Sequence, residues 1–339
     1  MVVGVLVQLS SQNIDKIFDY IVPNDLESSI KVGIRVLVPF GRQTLEGFVL
    51  EIKDNSDRDL KEIYSILDRD IVLLLLGKQI QKSTLSTLIS AYQVMLPKAL
   101  KAKAGVLVSK KYQTFYELTD KSYLASSSAQ EKILKLFSDK KTISRKELLA
   151  ISSSALSTLI EKKVLSEIKK EDYRIKYEVN KDKKKVLTPS QQKVVNSVLE
   201  NQQNVPFLLF GVTGSGKTEV YMQIIEKVLK RGETAIMLVP EISLTPQMVE
   251  QFSNRFGNQI AALHSALSEG EKYDEWRRIA RGEASIVIGA RSAIFAPLKN
   301  IGIIIMDEEH SDSYKQGDKS PRYHARDVAI WRAKYHSCP

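Results

Sequence analysis

The amino-acid sequence predicts a multidomain fold: a small β-rich module, then a helical one, then an α/β lobe built on a parallel sheet. Three observations predict it. The hydrophobic pattern changes twice along the 339 residues, from short strand-like runs to helical spacing, then to buried-strand runs alternating with helices. A glycine-rich loop opens the last part. The positive charge is concentrated in the middle: residues 105–186 hold 19 Lys+Arg against 11 Asp+Glu, whereas residues 1–104 and 187–339 are each at +1. Length agrees, since roughly 100–200 residues per domain gives two or three domains. At 43% hydrophobic and 27% charged, the composition is globular and excludes a disordered or collagen-like chain. The longest apolar run, Ile71 to Leu76, is far short of the roughly 18 residues a membrane span needs. The start, MVVGVLVQLSSQNIDK, lacks the basic region and small-residue cleavage site of a signal peptide. The single cysteine, Cys338, excludes an internal disulfide framework and a Cys-rich zinc site within the chain. Together these features predict a soluble, cytoplasmic protein without a membrane partner.

Residues 1–104 read as the β-rich module. VVGVLVQL, IRVLVPF and LEGFVLEI are short apolar or alternating runs separated by Gly, Pro and Asn. From Leu73 to Ala104 the composition is helical but not cleanly amphipathic. Residues 105–180 change to helices: Ser128 can cap AQEKILKLF, TISRKELL follows, and Ser153 or Ser154 can open ALSTLIEKKVLSEI. Three short helices before a strand-like charged tail predict a winged helix, whose third helix carries Lys162 and Lys163. Two readings of this basic module remain open, contact with nucleic-acid phosphates or a solvated spacer. The run KDKKKV at 181–186 reads as a linker.

Residues 187–339 alternate the runs VPFLLFGV, TAIMLVPE, SIVIGA and IGIIIMDE with helical patterns such as TEVYMQIIEKVLKRG and SEGEKYDEWRRIARGE. Apolar runs of that kind predict a parallel sheet covered on both faces. Between the first run and its helix lies Gly211-Val-Thr213-Gly214-Ser215-Gly216-Lys217-Thr218, a phosphate-binding loop. The glycines allow a tight turn that aims N–H groups at phosphate oxygens, and the helix N-terminus adds its positive end. Lys217 would reach the β- and γ-phosphates and Thr218 would ligate Mg²⁺, with Glu219 beside them. Downstream, Asp307 and Glu308 end an apolar strand, where a parallel sheet presents ligands. Asp307 would complete the Mg²⁺ shell and Glu308 would polarise the attacking water, so ATP and Mg²⁺ are the expected cofactors. The string DEEH matches the DExH-type box of superfamily 2 helicases and translocases, making His310 a candidate coupling residue.

Two further stretches suit a nucleic-acid strand. Gly289-Ala-Arg291-Ser292-Ala-Ile-Phe295 offers a turn, a guanidinium and a hydroxyl for a phosphate. SDSYKQGDKSPRYHARD interleaves Tyr314 and Tyr323 with Lys315, Lys319, Arg322, His324 and Arg326. Rings for base stacking beside cations for phosphates form a single-strand-binding composition.

The order of these motifs resembles one family, the PriA (primosomal protein N′) replication-restart DNA helicases of bacteria. The resemblance rests on GVTGSGKTEVY, LVPEISLTPQ, LHSALSEGEK, VIGARSAIFAPL, MDEEHSDSYKQ and RYHARDVA, nearly continuous over 187–339. It extends more loosely to FDYIVP (18–23) and GIRVLVPFGRQ (33–43). The resemblance implies a 3′-end DNA-binding domain over residues 1–104, a winged helix over 105–180 and a RecA-like first helicase lobe over 187–339. It implies that Phe18, Asp19, Tyr20, Gly41 and Lys61 capture the 3′ end of a strand at a fork. It implies that Gln191 reads the adenine base and that the strip from Tyr314 to Arg326 couples DNA binding to hydrolysis. The implied activity is ATP-dependent 3′-to-5′ unwinding that restarts replication through primosome assembly. The implied partners are forked and single-stranded DNA with a free 3′ end, primosome proteins and single-strand DNA-binding protein.

Two departures qualify this. The sequence ends at Pro339, where the family continues into a G-S-A-T motif and a second lobe holding the arginine finger, with the zinc-binding cysteines in that further part. An arginine finger is worth about 10³–10⁵ in rate, so weak or absent turnover by this chain alone is expected. The alternative reading is a non-enzymatic fork-binding fragment with a vestigial ATP site. Second, residues 71–92 lack the aromatic, Ala/Tyr-rich helix the family carries there, leaving the packing of the N-terminal module open.

Overall fold

The computed structural model describes residues 1–8, 15–54, 60–68, 74–97, 111–120, 122–177, 184–200, 205–212 and 214–339. They form two compact units, one from Met1–Leu107 with Ile175–Pro339 and the other from Val108–Arg174.

In the first unit, β1 (Val2–Val7), β2 (Ile17–Ile21), β3 (Arg35–Phe40), β4 (Gln43–Lys53) and β5 (Ser65–Asp68) form one antiparallel sheet in the order β2-β1-β4-β3-β5. Successive side chains point to opposite faces, and β1 is buried on both. Val3, Val5 and Val7 join Tyr20, Val36 and Val49 in one core, while Leu6 and Phe48 enter another. That double burial explains a continuous apolar run where a half-exposed strand would alternate. The second core is supplied by α1 (Leu74–Thr84) and α2 (Leu88–Val94), which bury Ile80, Ile89 and Tyr92 completely. The described part of the divergent 71–92 stretch is therefore packed. Gly77 marks a close approach, since a Cβ there would lie 2.1 Å from Tyr92 Cε1. Asp15 caps α2 by accepting from the N–H groups of Leu88 (2.7 Å) and Ile89 (3.2 Å).

The second unit runs β6 (Tyr112–Leu118), α3 (Ser128–Leu136), β7 (Thr142–Ser144), α4 (Arg145–Leu149), α5 (Ser153–Glu161) and β8 (Leu165–Glu171), with antiparallel sheet order β7-β6-β8. The three expected helices are present, but their caps sit elsewhere. Ser127 caps α3 in place of Ser128, and Ser152 caps α5 in place of Ser153 or Ser154. α5 also ends at Glu161, so Lys162 and Lys163 occupy the turn after it, and Lys163 has φ +57°.

Returning to the first unit, α6 (Pro189–Leu199) and α7 (Lys217–Lys230) precede four strands: β9 (Thr234–Leu238), β10 (Ile260–Leu263), β11 (Ile286–Gly289) and β12 (Ile301–Met306). All pair in parallel in the order β10-β11-β9-β12, joined by α8 (Pro246–Phe256) and α9 (Glu269–Ala280) and followed by α10 (Ala325–His336). The expected strand VPFLLFGV does not form. Residues 205–212 are irregular, with Leu208 78% and Phe210 92% exposed. A buried strand needs a ladder partner, and the outer side of β12 is instead met at Ile304 N–H by the Pro339 carbonyl. Among the described residues, no helix is long and apolar enough to cross a membrane.

Candidate functional site

Gly214 and Gly216 take φ of +81° and +82°, the left-handed conformation that only glycine adopts freely, and Gly216 directly precedes α7. The loop therefore ends on a helix N-terminus, the positive end of α7. Lys217, the first helical residue, folds its ammonium back to donate to the Gly211 carbonyl at 2.7 Å. The same ammonium lies 3.8 Å from Glu308 Oε1. Ser215 and Gly214 are exposed along the loop, Thr218 is half-buried in the first turn of α7, and Thr213 lies outside the described residues.

Asp307 follows β12, and its N–H donates to Leu238 O at 2.9 Å, which fixes it at the carboxyl end of the sheet. Tyr221, one turn beyond Lys217 on α7, donates to Asp307 Oδ1 at 3.2 Å. Partial burial pushes the Asp307 carboxyl above the usual range, and the Glu308 charge adds to it; the Tyr221 hydrogen bond and Lys217 oppose the rise. One carboxylate, one hydroxyl and a nucleotide's phosphates are hard oxygen donors of the kind Mg²⁺ takes, so the residues fit that ion. Glu308 is exposed with φ +46°, between Lys217 and the His310 imidazole, whose Nε2 lies 3.6 Å from Glu308 Oε2. His310 itself points largely to solvent.

Several expected residues are placed differently. Glu219 does not face the phosphate loop: its carboxylate is buried, bonded to Arg255 at 2.8 Å and to Gln223 at 2.7 Å. Gln191 closes a capping box with Thr188 and donates through Nε2 to Ser215 O at 2.9 Å, bracing the loop rather than projecting from it. Tyr314 and Tyr323 are not stacking platforms. Tyr314 is fully buried with its hydroxyl on Asp307 O at 2.6 Å, and Tyr323 packs edge-on against Phe295. Arg291 does not project freely, because its guanidinium donates to the carbonyls of Ser313 and Lys315. His324 accepts from Arg326 N–H and caps α10. Of the residues expected to meet a strand, Ser292, Lys315, Lys319, Arg322 and Arg326 are exposed. Among these expected residues the exposed groups are thus a hydroxyl and cations, lying over buried Tyr314 and Tyr323.

In the N-terminal sheet, Phe18 is half-buried against Phe40 with Lys16 over its ring, and Gly41 is exposed in the turn after β3 with φ +60°. Asp19 Oδ1 accepts from Lys53 Nζ at 2.8 Å, and Lys61 is exposed while its carbonyl accepts from Ile21 N–H. Tyr20 departs from the expectation. It is 4% exposed and its hydroxyl is spent on Pro39 O, so it is a core residue.

Sequence reasoning missed Tyr221 and Arg332. Tyr221 had a signal, since it stands four residues after Lys217 on the same helix face. Arg332 had none: its buried guanidinium bonds to the carbonyls of Ile294 and Ala296, contacts that only the fold creates.

Comparison with known proteins bears on both halves of the first unit. Residues 4–97 match the 3′DNA-binding domain (3′BD) family, and residues 188–329 match the DEAD/DEAH box helicase family. The chain is 41% identical over 419 residues to the replication restart protein PriA of Bacillus subtilis, covering 99% of this chain and 52% of that protein. It is 37% identical over 336 residues to the protein of the same name from Haemophilus influenzae, covering 93% and 45%. The relative of that name from Synechocystis is 48% identical over 190 residues, 56% of this chain and 23% of that protein. The chain spans about half the length of the first two relatives.

Proposed function

Because the chain belongs to the PriA family, joining a 3′ DNA-binding domain to a DEAD/DEAH box helicase domain, we propose that it binds ATP with Mg²⁺ at residues 211–218 and 307–308 and holds a 3′ DNA end on its N-terminal sheet. In this reading it is the DNA-gripping part and first motor lobe of an ATP-dependent 3′-to-5′ helicase that restarts replication through primosome assembly. Forked DNA is the substrate, and primosome proteins and single-strand DNA-binding protein are the partners. The observation that carries the reading is the convergence of Lys217, Asp307 and Glu308, with the ammonium 3.8 Å from Glu308 beside a glycine loop.

Lys217 would exchange the Gly211 carbonyl for phosphate oxygens, a charge-assisted bond for a neutral acceptor. Thr218 and Asp307 would hold Mg²⁺, which supplies charge neutralisation at the phosphates. Glu308 would orient the attacking water, and its exposure leaves room for that water. Lys315, Arg322 and Ser292 would grip the strand backbone.

Asp307→Asn separates function from stability. The folded carboxyl binds its proton more tightly than the unfolded chain does, so its stabilising contribution is complete only below the unfolded pKa. It is lost as pH rises through the raised folded value. Above the raised folded value the ionised carboxylate therefore weakens the fold. Thermal melting of Asp307→Asn without nucleotide should rise, while Mg²⁺-dependent nucleotide binding should vanish. A lower melting temperature would contradict the assignment of strain to this charge.

Fork binding tests the DNA half. Fluorescence anisotropy on forks with a recessed 3′-hydroxyl or 3′-phosphate should show a preference for the hydroxyl. Asp19→Ala should weaken hydroxyl-ended binding about tenfold, the worth of one hydrogen bond to a charged group, and abolish the preference. Equal affinity of the unaltered chain for both ends would remove the 3′-end reading.

A further inference from the structure

Asp307 is held by two phenols that reach it from different elements. Tyr221 rises from α7 to donate to the carboxylate at 3.2 Å. Tyr314, in the turn after β12, donates to the main-chain carbonyl of the same residue at 2.6 Å. Both rings are buried, Tyr221 at 8% and Tyr314 at 0% exposure, so neither phenol can trade its partner for bulk water without moving its ring. The turn that carries Tyr314 is itself fastened. Arg291 donates to the carbonyls on either side of it, Ser313 at 3.4 Å and Lys315. The turn that carries Arg291 is fastened in its own right, because Arg332 from α10 donates to Ile294 O and Ala296 O.

We propose that Tyr221 and Tyr314 are positioning residues for the metal-binding carboxylate of Asp307: Tyr221 sets its side-chain orientation from the phosphate-loop helix, and Tyr314 sets its backbone from the turn that Arg291 fastens. A liganding carboxylate rotates freely unless an outer donor fixes it, and such donors typically change metal affinity about 10–100-fold. The arrangement uses both kinds of restraint. With the side chain tied to α7 and the main chain tied to the 311–315 turn, Asp307 reports to the nucleotide loop on one side and the exposed cationic strip on the other. A satisfied buried phenol needs only one acceptor. That two of them converge on one acidic residue, from elements on either side of it, is what a purely structural account leaves unexplained.

The inference rests on reading residues 211–218 and 307 as an ATP–Mg²⁺ site, and its test separates the two. Binding of a fluorescent N-methylanthraniloyl-ATP is titrated with Mg²⁺ for the unaltered chain, Tyr221→Phe and Tyr314→Phe, each also measured in EDTA and melted thermally. Each variant is expected to need about tenfold more Mg²⁺ for half-saturation, with binding in EDTA and melting close to the unaltered chain. A half-saturation point within twofold of the unaltered chain removes that tyrosine from a positioning role. Parallel losses in EDTA and Mg²⁺ accompanied by earlier melting also overturn it, because they mark a structural role. Absence of Mg²⁺-dependent binding by the unaltered chain overturns the nucleotide reading and the positioning role with it.

Discussion

Lys217→Ala should weaken binding of Mg²⁺–ATP about a hundredfold and reduce any DNA-stimulated hydrolysis to background. The loop keeps its backbone N–H donors and the helix N-terminus in the variant, so binding is expected to fall rather than disappear. The loss comprises charge-assisted bonds to the β- and γ-phosphates, each worth about 1.5–3 kcal/mol. It also exposes the phosphates to Glu308 without the cation that stands 3.8 Å from that carboxylate. About 2.7 kcal/mol corresponds to a hundredfold. The structure adds a control: among the described residues the only side-chain hydrogen bond of Lys217 is to the Gly211 carbonyl, an exchangeable one. Melting should therefore change little. Titration of the fluorescent nucleotide into both proteins checks the result, and an affinity within threefold would remove Lys217 from the phosphates.

Where burial alone decides a strand, the sequence was a good guide. VVGVLVQL, TAIMLVPE, SIVIGA and IGIIIMDE all became strands, each an apolar run with a ladder partner beside it. Ile260–Leu263 was missed: four residues, half of them alanine, carry too little pattern to separate from a helix or loop. The opposite error occurred at residues 205–210, whose apolar run is as strong as its neighbours but has no ladder partner here. Hydrophobicity predicts a wish to be buried; it cannot supply the adjacent strand. At the site, the convergence of Lys217, Asp307 and Glu308 was legible, since it follows from motif spacing. The residues fixed by direction were not. Tyr314 and Tyr323 sit among cations in the sequence, which suggests an open stacking surface. Spacing does not reveal that the rings turn inward, onto Asp307 and Phe295, while the cations turn outward. α1 and α2 pack although their composition departs from the family resemblance, because Ile80, Ile89 and Tyr92 still meet Leu6 and Phe48 in one core.

Glu219 offers the sharpest test between what its position suggests and what its environment does. Two residues after Lys217, it was expected among the nucleotide contacts. Its carboxylate is instead buried against Arg255 of α8, 2.8 Å away, with Gln223 donating to the same oxygen. Arg255, whose side chain is 4% exposed, also reaches Glu226 at 3.3 Å, so one guanidinium joins α7 to α8 through two acids. Breaking a buried pair by removing one partner typically costs about 3–5 kcal/mol, because the other charge is left without compensation. Arg255→Ala should therefore lower the melting midpoint of the larger unit by on the order of 10 °C, using the scaling of roughly 2–4 °C per kcal/mol for domains of this size. Glu219→Gln keeps a hydrogen-bond acceptor for Arg255 and Gln223, removes the buried charge and should cost much less. Circular dichroism melts of the two variants give the stability half. The functional half comes from nucleotide titration of Glu219→Gln, expected to match the unaltered chain within threefold. A normal melt combined with tenfold weaker binding would return Glu219 to the nucleotide and make its burial against Arg255 incidental.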